Sequence, residues 1–239
     1  IDWCAVTENN AFQGTITAFE GPAIKAVPSL ARQPKEIHVY EGTKSNGKTF
    51  GALNEVAAYS GNATISLKAG QTVVYDLGQN ASGWVRFTAN GRRGTRLRFR
   101  FSEMLTTTGD KSRGDDGPQH SLYLINLRSA EASLHYTLKG TPEGETFHPT
   151  TTYYGFRYVE VTASADVQLT DVVGETVTSQ MAERSSLHTS SEMVNQLYSN
   201  IMWGQRSNFV SVPTDCPQRD ERLGWAADTQ VFSMAGLYN

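Results

Sequence analysis

Four carboxylates, two arginines and a tryptophan fall within seventeen residues of this 239-residue chain: Asp215, Asp220, Glu221 and Asp228, with Arg219, Arg222 and Trp225 among them. Pro213 and Pro217 flank Asp215, which a helix face would not tolerate, so the stretch reads as a rigid, shaped loop held by a scaffold. The residue types suit acid/base hydrolysis. A general acid keeps its proton near neutral pH when neighbouring carboxylates and partial burial raise its pKa. Cleavage of a glycosidic bond uses two carboxyl groups on opposite sides of that bond. Further carboxylates and an arginine can hold sugar hydroxyls, and an indole such as Trp225 can stack on the C–H face of a ring. No Gly-rich phosphate loop, Cys/His nucleophile pair or G-x-S-x-G elbow offers a rival chemistry. The residues alone leave two readings open: an acid/base hydrolase, or a structural or carbohydrate-binding β protein with a solvated charge cluster.

The elements that must position this loop come before it and after it. Residues 1–62 give a weak pattern of short strands broken by Pro22, Pro28, Gly42, Gly47 and Gly51. From residue 63 the signal sharpens. Residues 64–67 alternate, 72–76 are β-branched and aromatic and stop at Gly78, and 84–88 form a further strand. Over 95–104, Leu97, Phe99 and Phe101 alternate with Arg96, Arg98 and Arg100, which predicts one buried and one wet face. Strands are expected again at 121–125, 134–138, 152–162 and 167–177, with Tyr154, Phe156, Tyr158 and Val161 as core candidates. Many short strands with glycine turns indicate an antiparallel sandwich.

The period then changes. Met193, Val194, Leu197, Tyr198, Ile201 and Met202 recur at the spacing of an amphipathic helix, with Ser190 or Ser191 as N-cap, and a second helix is expected from about Leu223 to Leu237. The chain is therefore read as β then α, divided into residues 1–62, 63–184 and 185–239. Two helices bury too little on their own, so the α part is expected to need more chain than is present.

A net charge of -3 argues against a nucleic-acid partner, and the arginines of 92–100 are explained by a solvated sheet face. No run approaches the ~18 apolar residues of a membrane span. The chain starts at Ile1 without a leader-like segment, so either a leader was removed or the start was cut from something longer. Cys4 and Cys216 are expected to be free, mostly buried thiols. Asp110, Asp115 and Asp116 lie in a polar loop whose spacing is not that of a calcium loop, so neither a metal nor a cofactor is expected.

The run from Ser207 through Asp215-Cys-Pro-Gln-Arg219-Asp-Glu221-Arg-Leu-Gly-Trp225 resembles the signature of the bacterial α-L-rhamnosidases of glycoside hydrolase family 78. The stretches 75–85, 100–105 and 153–161 resemble that family's β-sandwich, of jelly-roll or concanavalin-like type. The resemblance covers roughly residues 64–239. It implies an inverting hydrolase of terminal α-L-rhamnose, acting on a rhamnose-containing oligosaccharide or plant glycoside, with its site in an (α/α)6 barrel. By motif match Glu221 is the general acid; Asp215, Arg219 and Asp228 bind the sugar, and Trp225 lines the pocket. Asp220 is expected to be structural or to tune the acid. The general base is implied to be a later glutamate in a region not contained here, so this length of chain, as the first portion of the protein, is expected to be inactive without the rest of its barrel. A periplasmic or secreted bacterial location is favoured over a cytoplasmic one. One departure stands out: Ala226-Ala227 replaces a Thr-Gly pair common after the tryptophan.

Overall fold

The computed structural model describes residues 4–9, 11, 13–179 and 182–239. In chain order the strands are β1 (Ile24–Ala26), β2 (Glu36–Lys44), β3 (Ala52–Ser60), β4 (Ile65–Leu67), β5 (Gln71–Gly91), β6 (Arg96–Ser102), β7 (Met104–Leu105), β8 (Leu122–Tyr123), β9 (Ser133–Thr137), β10 (Glu145–Phe147), β11 (Tyr154–Ala163) and β12 (Val167–Ser179). Helix α1 (Glu192–Asn208) follows, then β13 (Phe209–Val210), β14 (Val212–Pro213) and helix α2 (Ala226–Tyr238).

The expected antiparallel sandwich is one curled sheet whose two layers share β5. The first half of β5 pairs with β2 and β11, and that layer runs β3-β2-β5-β11-β6-β9. Its second half pairs with β10 and β12, and β12 carries β4 and β1 on its far side. Strands from residues 24–60 therefore belong to the same sheet as those beyond residue 63.

The alternation over β6 places Leu97, Phe99 and Phe101 fully inside the core. Phe99 meets Phe87 of the opposite layer with ring centroids 4.5 Å apart, and Tyr136 meets Phe147 across the layers at 4.7 Å. Such offset aromatic contacts add to the stabilisation already supplied by burial.

Several local expectations are corrected. Gly78, at φ +73°, does not end a strand. It opens a bulge: the register of β11 jumps from Phe156↔Ala81 to Tyr158↔Asp76, leaving residues 77–80 looped out of β5. The same jump reverses which side chains of β11 face inward. Tyr154 and Phe156 are buried before it and Val159 and Val161 after it, so Tyr158 is only half-buried. Residues 121–125 form just the two-residue β8 and then the tight turn Ile125–Leu127. Cys4 is exposed, and only Cys216 is buried.

In the polar loop after β7, Asp115 is a structural hub. Its carboxylate accepts the N–H groups of Thr107, Thr108 and Gly109 and the Thr108 hydroxyl, the shortest at 2.7 Å. The Thr108 hydroxyl, against the opposing effect of burial and with the N–H groups of Thr108, Thr107 and Asp110, holds its pKa down at about 2. On Glu145, the N–H groups of Lys139, Gly140 and Thr141 and the Tyr136 hydroxyl overcome the opposing effect of burial and also bring it to about 2. A depressed carboxyl pKa stabilises the fold above its unfolded value of roughly 4 and is lost as pH falls towards 2. Thermal unfolding across pH 2–7 should accordingly show the wild-type midpoint dropping between pH 4 and 2. Asp115→Asn should start lower and drop less steeply; an identical slope would show that the carboxylate does not anchor the loop.

Helix α1 docks on the sheet through Met202, Trp203 and Ser207. The guanidinium of Arg32 lies 4.7 Å and that of Arg206 5.1 Å from the Trp203 ring centre. Ser207 Oγ accepts the Ser82 N–H at 3.2 Å. Of the predicted apolar stripe only Met202 is buried against the sheet; Met193, Val194, Leu197 and Ile201 are exposed, as are Val231, Met234 and Leu237 of α2. Periodicity identified the helix, but the face the sheet covers is the one carrying Trp203.

Candidate active-site loop

The loop of residues 214–224 is closed at its base by a bridge between Thr214 and Gly224. The hairpin β13–β14, turning at Ser211 with φ +70°, leads into it. Two bonds tie this hairpin to the end of β12: Thr178 Oγ1 donates to the Phe209 carbonyl at 3.0 Å, and the Ser211 N–H donates to Ser179 Oγ at 2.7 Å. Thr214 donates through both its N–H and its hydroxyl to the Asn208 carbonyl, so the end of α1 also fixes the loop.

The outer side of the loop rests on the sheet. The Arg222 guanidinium donates to the Tyr153 carbonyl at 2.8 Å and lies 4.3 Å from the Tyr153 ring centre. Gly155 of β11 lets the backbone of Gln218 come close, since a Cβ on Gly155 would sit 2.8 Å from Gln218 N. Ser129 donates to Asp220 at 3.0 Å, so Asp220 serves to attach the loop.

Inside the loop Asp215, Arg219 and Glu221 converge. Arg219 Nε lies 2.5 Å from Glu221 Oε2, and Arg219 Nη2 lies 3.5 Å from Asp215 Oδ2. The buried Cys216 thiol sits between the same two oxygens, 3.0 Å from Glu221 Oε2 and 3.1 Å from Asp215 Oδ2. Burial, then the two carboxylates, push that thiol up to about 12, so it is a proton donor and not a thiolate. The ligand-capable atoms of Asp215, Cys216 and Glu221 lie within 4.8 Å of one another. A protonated thiol and the Arg219 guanidinium in their midst make this a poor cation site, and we assign no metal to it.

Glu221 departs from the environment expected of a resting acid. The Cys216 thiol first, then Arg219 and Arg128, hold its carboxyl below the usual range in spite of partial burial. Arg128 comes from the sheet part of the chain, with Nη1 3.2 Å from Glu221 Oε1.

Asp228 lies in the first turn of α2, beside no bonded partner of the Glu221 cluster, but it lines a cleft of about 290 Å³ together with Asp215, Asn208, Phe209 and Phe232. Trp225 stands exposed at the start of α2. A second cleft, of about 460 Å³, has Asp215, Arg219 and Gln218 on one wall and Asn80 and Glu103 of the sheet on the other. The structure thus joins Asp215, Arg219 and Glu221 directly, links Asp215 with Asp228 across a cleft, and leaves Trp225 outside both.

The residues missed by sequence reasoning are Cys216, Arg128, Tyr153 and Gly155. Cys216 carried a signal in its place between Asp215 and Arg219. Tyr153 and Gly155 lie in the 153–161 stretch that resembles the family's sandwich, but nothing in the sequence tied them to the loop; Arg128 carried no signal.

Residues 66–181 match the family model described as the bacterial alpha-L-rhamnosidase concanavalin-like domain, and residues 182–239 match the bacterial alpha-L-rhamnosidase 6 hairpin glycosidase domain. An alpha-L-rhamnosidase of Streptomyces avermitilis is 45% identical over 166 residues, covering 69% of this chain and 15% of that protein. One from Formosa agariphila is 39% identical over 180 residues, covering 73% of this chain and 18% of the relative. Among solved structures, the S. avermitilis alpha-L-rhamnosidase complexed with L-rhamnose superposes with a TM-score of 0.68 at 33% identity, over 92% of this chain and 18% of that one. The alpha-L-rhamnosidase from Dictyoglumus thermophilum gives 0.64 at 29% identity, over 92% and 20%. The chain thus spans about a fifth or less of the length of these relatives. With two adjoining family models matched over 66–239 and the curled sheet and helices reproduced in solved members, the chain belongs to the bacterial α-L-rhamnosidase family.

Proposed function

We propose that this chain supplies the acid side of an inverting α-L-rhamnosidase, with Glu221 protonating the departing glycosidic oxygen and Asp215, Arg219 and Asp228 holding hydroxyls of the terminal rhamnose. The observation that carries the reading is the convergence of Asp215, Arg219 and Glu221 within hydrogen-bonding reach in a loop anchored on both sheet and helix. Trp225, exposed at the mouth of α2, is proposed to cover the apolar face of the ring. The substrate is a rhamnose-containing oligosaccharide or plant glycoside.

The second carboxylate, which activates water on the far face of the sugar, belongs on this reading to a part of the barrel outside these 239 residues. The exposed apolar faces of α1 and α2 are proposed to pack against further helices of that barrel. The corresponding division is a β region through residue 184, its first 62 residues the least regular, and the start of an α barrel from residue 185. Among the described residues no helix is long and apolar enough to cross a membrane.

The test is to incubate the full-length protein with an aryl α-L-rhamnoside and follow the first-formed sugar by proton NMR. Release of β-L-rhamnose, the inverted anomer, is expected, with none from the 239-residue chain alone. Release of the α anomer, or turnover by the short chain, would defeat the reading.

A further inference from the structure

Arg128 combines two features that a surface ion pair does not need. Its backbone is at φ 56°, ψ −110°, a region that L side chains rarely occupy and that tends to mark functional positions. Its guanidinium leaves the sheet region to meet Glu221, 93 residues further along the chain, at 3.2 Å.

The turn that holds Arg128 is nailed down on every side. Leu127 is buried, Asn126 donates to Glu103 at 3.1 Å, and the Leu124 N–H donates to Asp116 at 2.9 Å. The Arg128 N–H closes the turn on the Ile125 carbonyl, and the next residue, Ser129, bonds Asp220. A glycine would take this backbone at less cost. An arginine there, aimed at the acid, points to a role for the side chain.

We propose that Arg128 is a positioning residue of the acid: the sheet reaches into the active site through it, pinning the Glu221 carboxylate in its ionised form in the unliganded enzyme, so that Arg128 must let go before Glu221 can be protonated for catalysis. The inference rests on the reading of Glu221 as general acid. The groups facing Glu221 are Arg219 and Cys216 from its own loop, with Asp215 beyond them, and Arg128 from the sheet, with Asp220 turned away onto Ser129. Arg219 and Cys216 are built into the loop and move with the acid. Arg128 alone approaches from a separate element. Its side chain is 61% exposed, so release into water meets little resistance.

The sign follows from the charges. Removing the Arg128 cation disfavours the ionised carboxylate, so Glu221 keeps its proton to higher pH. The alkaline limb of kcat/KM, which reports the acid of the free enzyme, should move up by about half a pH unit, the scale of an exposed charge pair. The experiment is the pH–rate profile of the full-length protein on an aryl rhamnoside for wild type, Arg128→Gln, Arg128→Gly and Arg128→Lys. Gln and Gly should show the same upward shift, although Gly also relaxes the backbone, and Lys should stay near wild type. A carbon-13 titration of the Glu221 carboxylate, which needs no turnover, should shift in the same direction. Unmoved limbs and an unmoved titration in Gln and Gly would overturn the proposal, as would a shift in Gly alone, which would trace the effect to the backbone. Absence of rhamnose release by wild type would instead defeat the assignment of function, and the titration would still decide whether Arg128 pins Glu221.

Discussion

Glu221→Gln in the full-length protein is expected to lower rhamnose release from plant glycosides and oligosaccharides by roughly 10²–10⁴-fold, the usual contribution of a general acid. Glutamine keeps the shape, and its one carbonyl oxygen can accept from either Arg128 or the Arg219–Cys216 side. The loop is held separately through Thr214, Arg222 and Asp220, so it should stand and rhamnose should still bind. The defect should shrink on aryl rhamnosides with an acidic phenol as leaving group, because a phenolate departs without a proton. Comparing kcat/KM on an activated and an unactivated rhamnoside checks both points. Equal losses on the two substrates would show that Glu221 binds the sugar and does not donate the proton.

Gly155→Ala is expected to act on catalysis from outside the loop. The added Cβ would lie 2.8 Å from Gln218 N and 3.0 Å from Gln218 Cα, and both are backbone atoms that cannot swing aside. Gly155 is paired with Ser82 of β5, and β11 is held on both edges from Tyr158 onward, so the loop is expected to be the side that gives way. It would carry Arg219 and Glu221 with it. Misplacement of a catalytic group by an ångström costs about 10²-fold, and a loss of up to that order in kcat is anticipated with the circular dichroism of the sheet unchanged. Wild-type kcat in Gly155→Ala would show that the contact between sheet and loop does not set the acid's position.

What the sequence made legible was whatever repeats over a few residues. Leu97, Phe99 and Phe101 could be placed inside because a strand alternates with period two, and α1 and α2 could be located from helical spacing and proline. The loop was legible as chemistry because its carboxylates and arginines lie close together in the chain. Features set by pairing with distant residues were not. The bulge after Asp76 reverses the inward side of β11 and is invisible in either strand alone, which is why Tyr158 was misplaced. The exposed stripe of α1 looked like a buried face because periodicity reports that a face is apolar and not what covers it. For Glu221, proximity in sequence to Asp215 and Asp220 suggested a raised pKa, whereas the folded loop turns Asp220 onto Ser129 and surrounds the acid with Cys216, Arg219 and Arg128.

Strand β5 passes through both layers, and its neighbours arrive from far along the chain: β2 from before it, and β11 and β12 with partners 71 to 93 residues later. One layer therefore waits for Ala163 and the other for Ser179. The edge strand β1 waits even longer, since Ile24–Ala26 pairs with residues 177–179 at the other end of the sheet. On a ribosome this makes the order of events one-way. The layer built on β12 is incomplete until Ser179 has emerged, and Ser179 is also the residue that receives the Ser211 N–H at the foot of the candidate loop. Closing a sheet of such long-range pairs is slow compared with forming a helix. The helices that follow can be wound before they have a surface to dock on, and the loop that carries Glu221 gains its foothold on the sheet only once the end of β12 is in place.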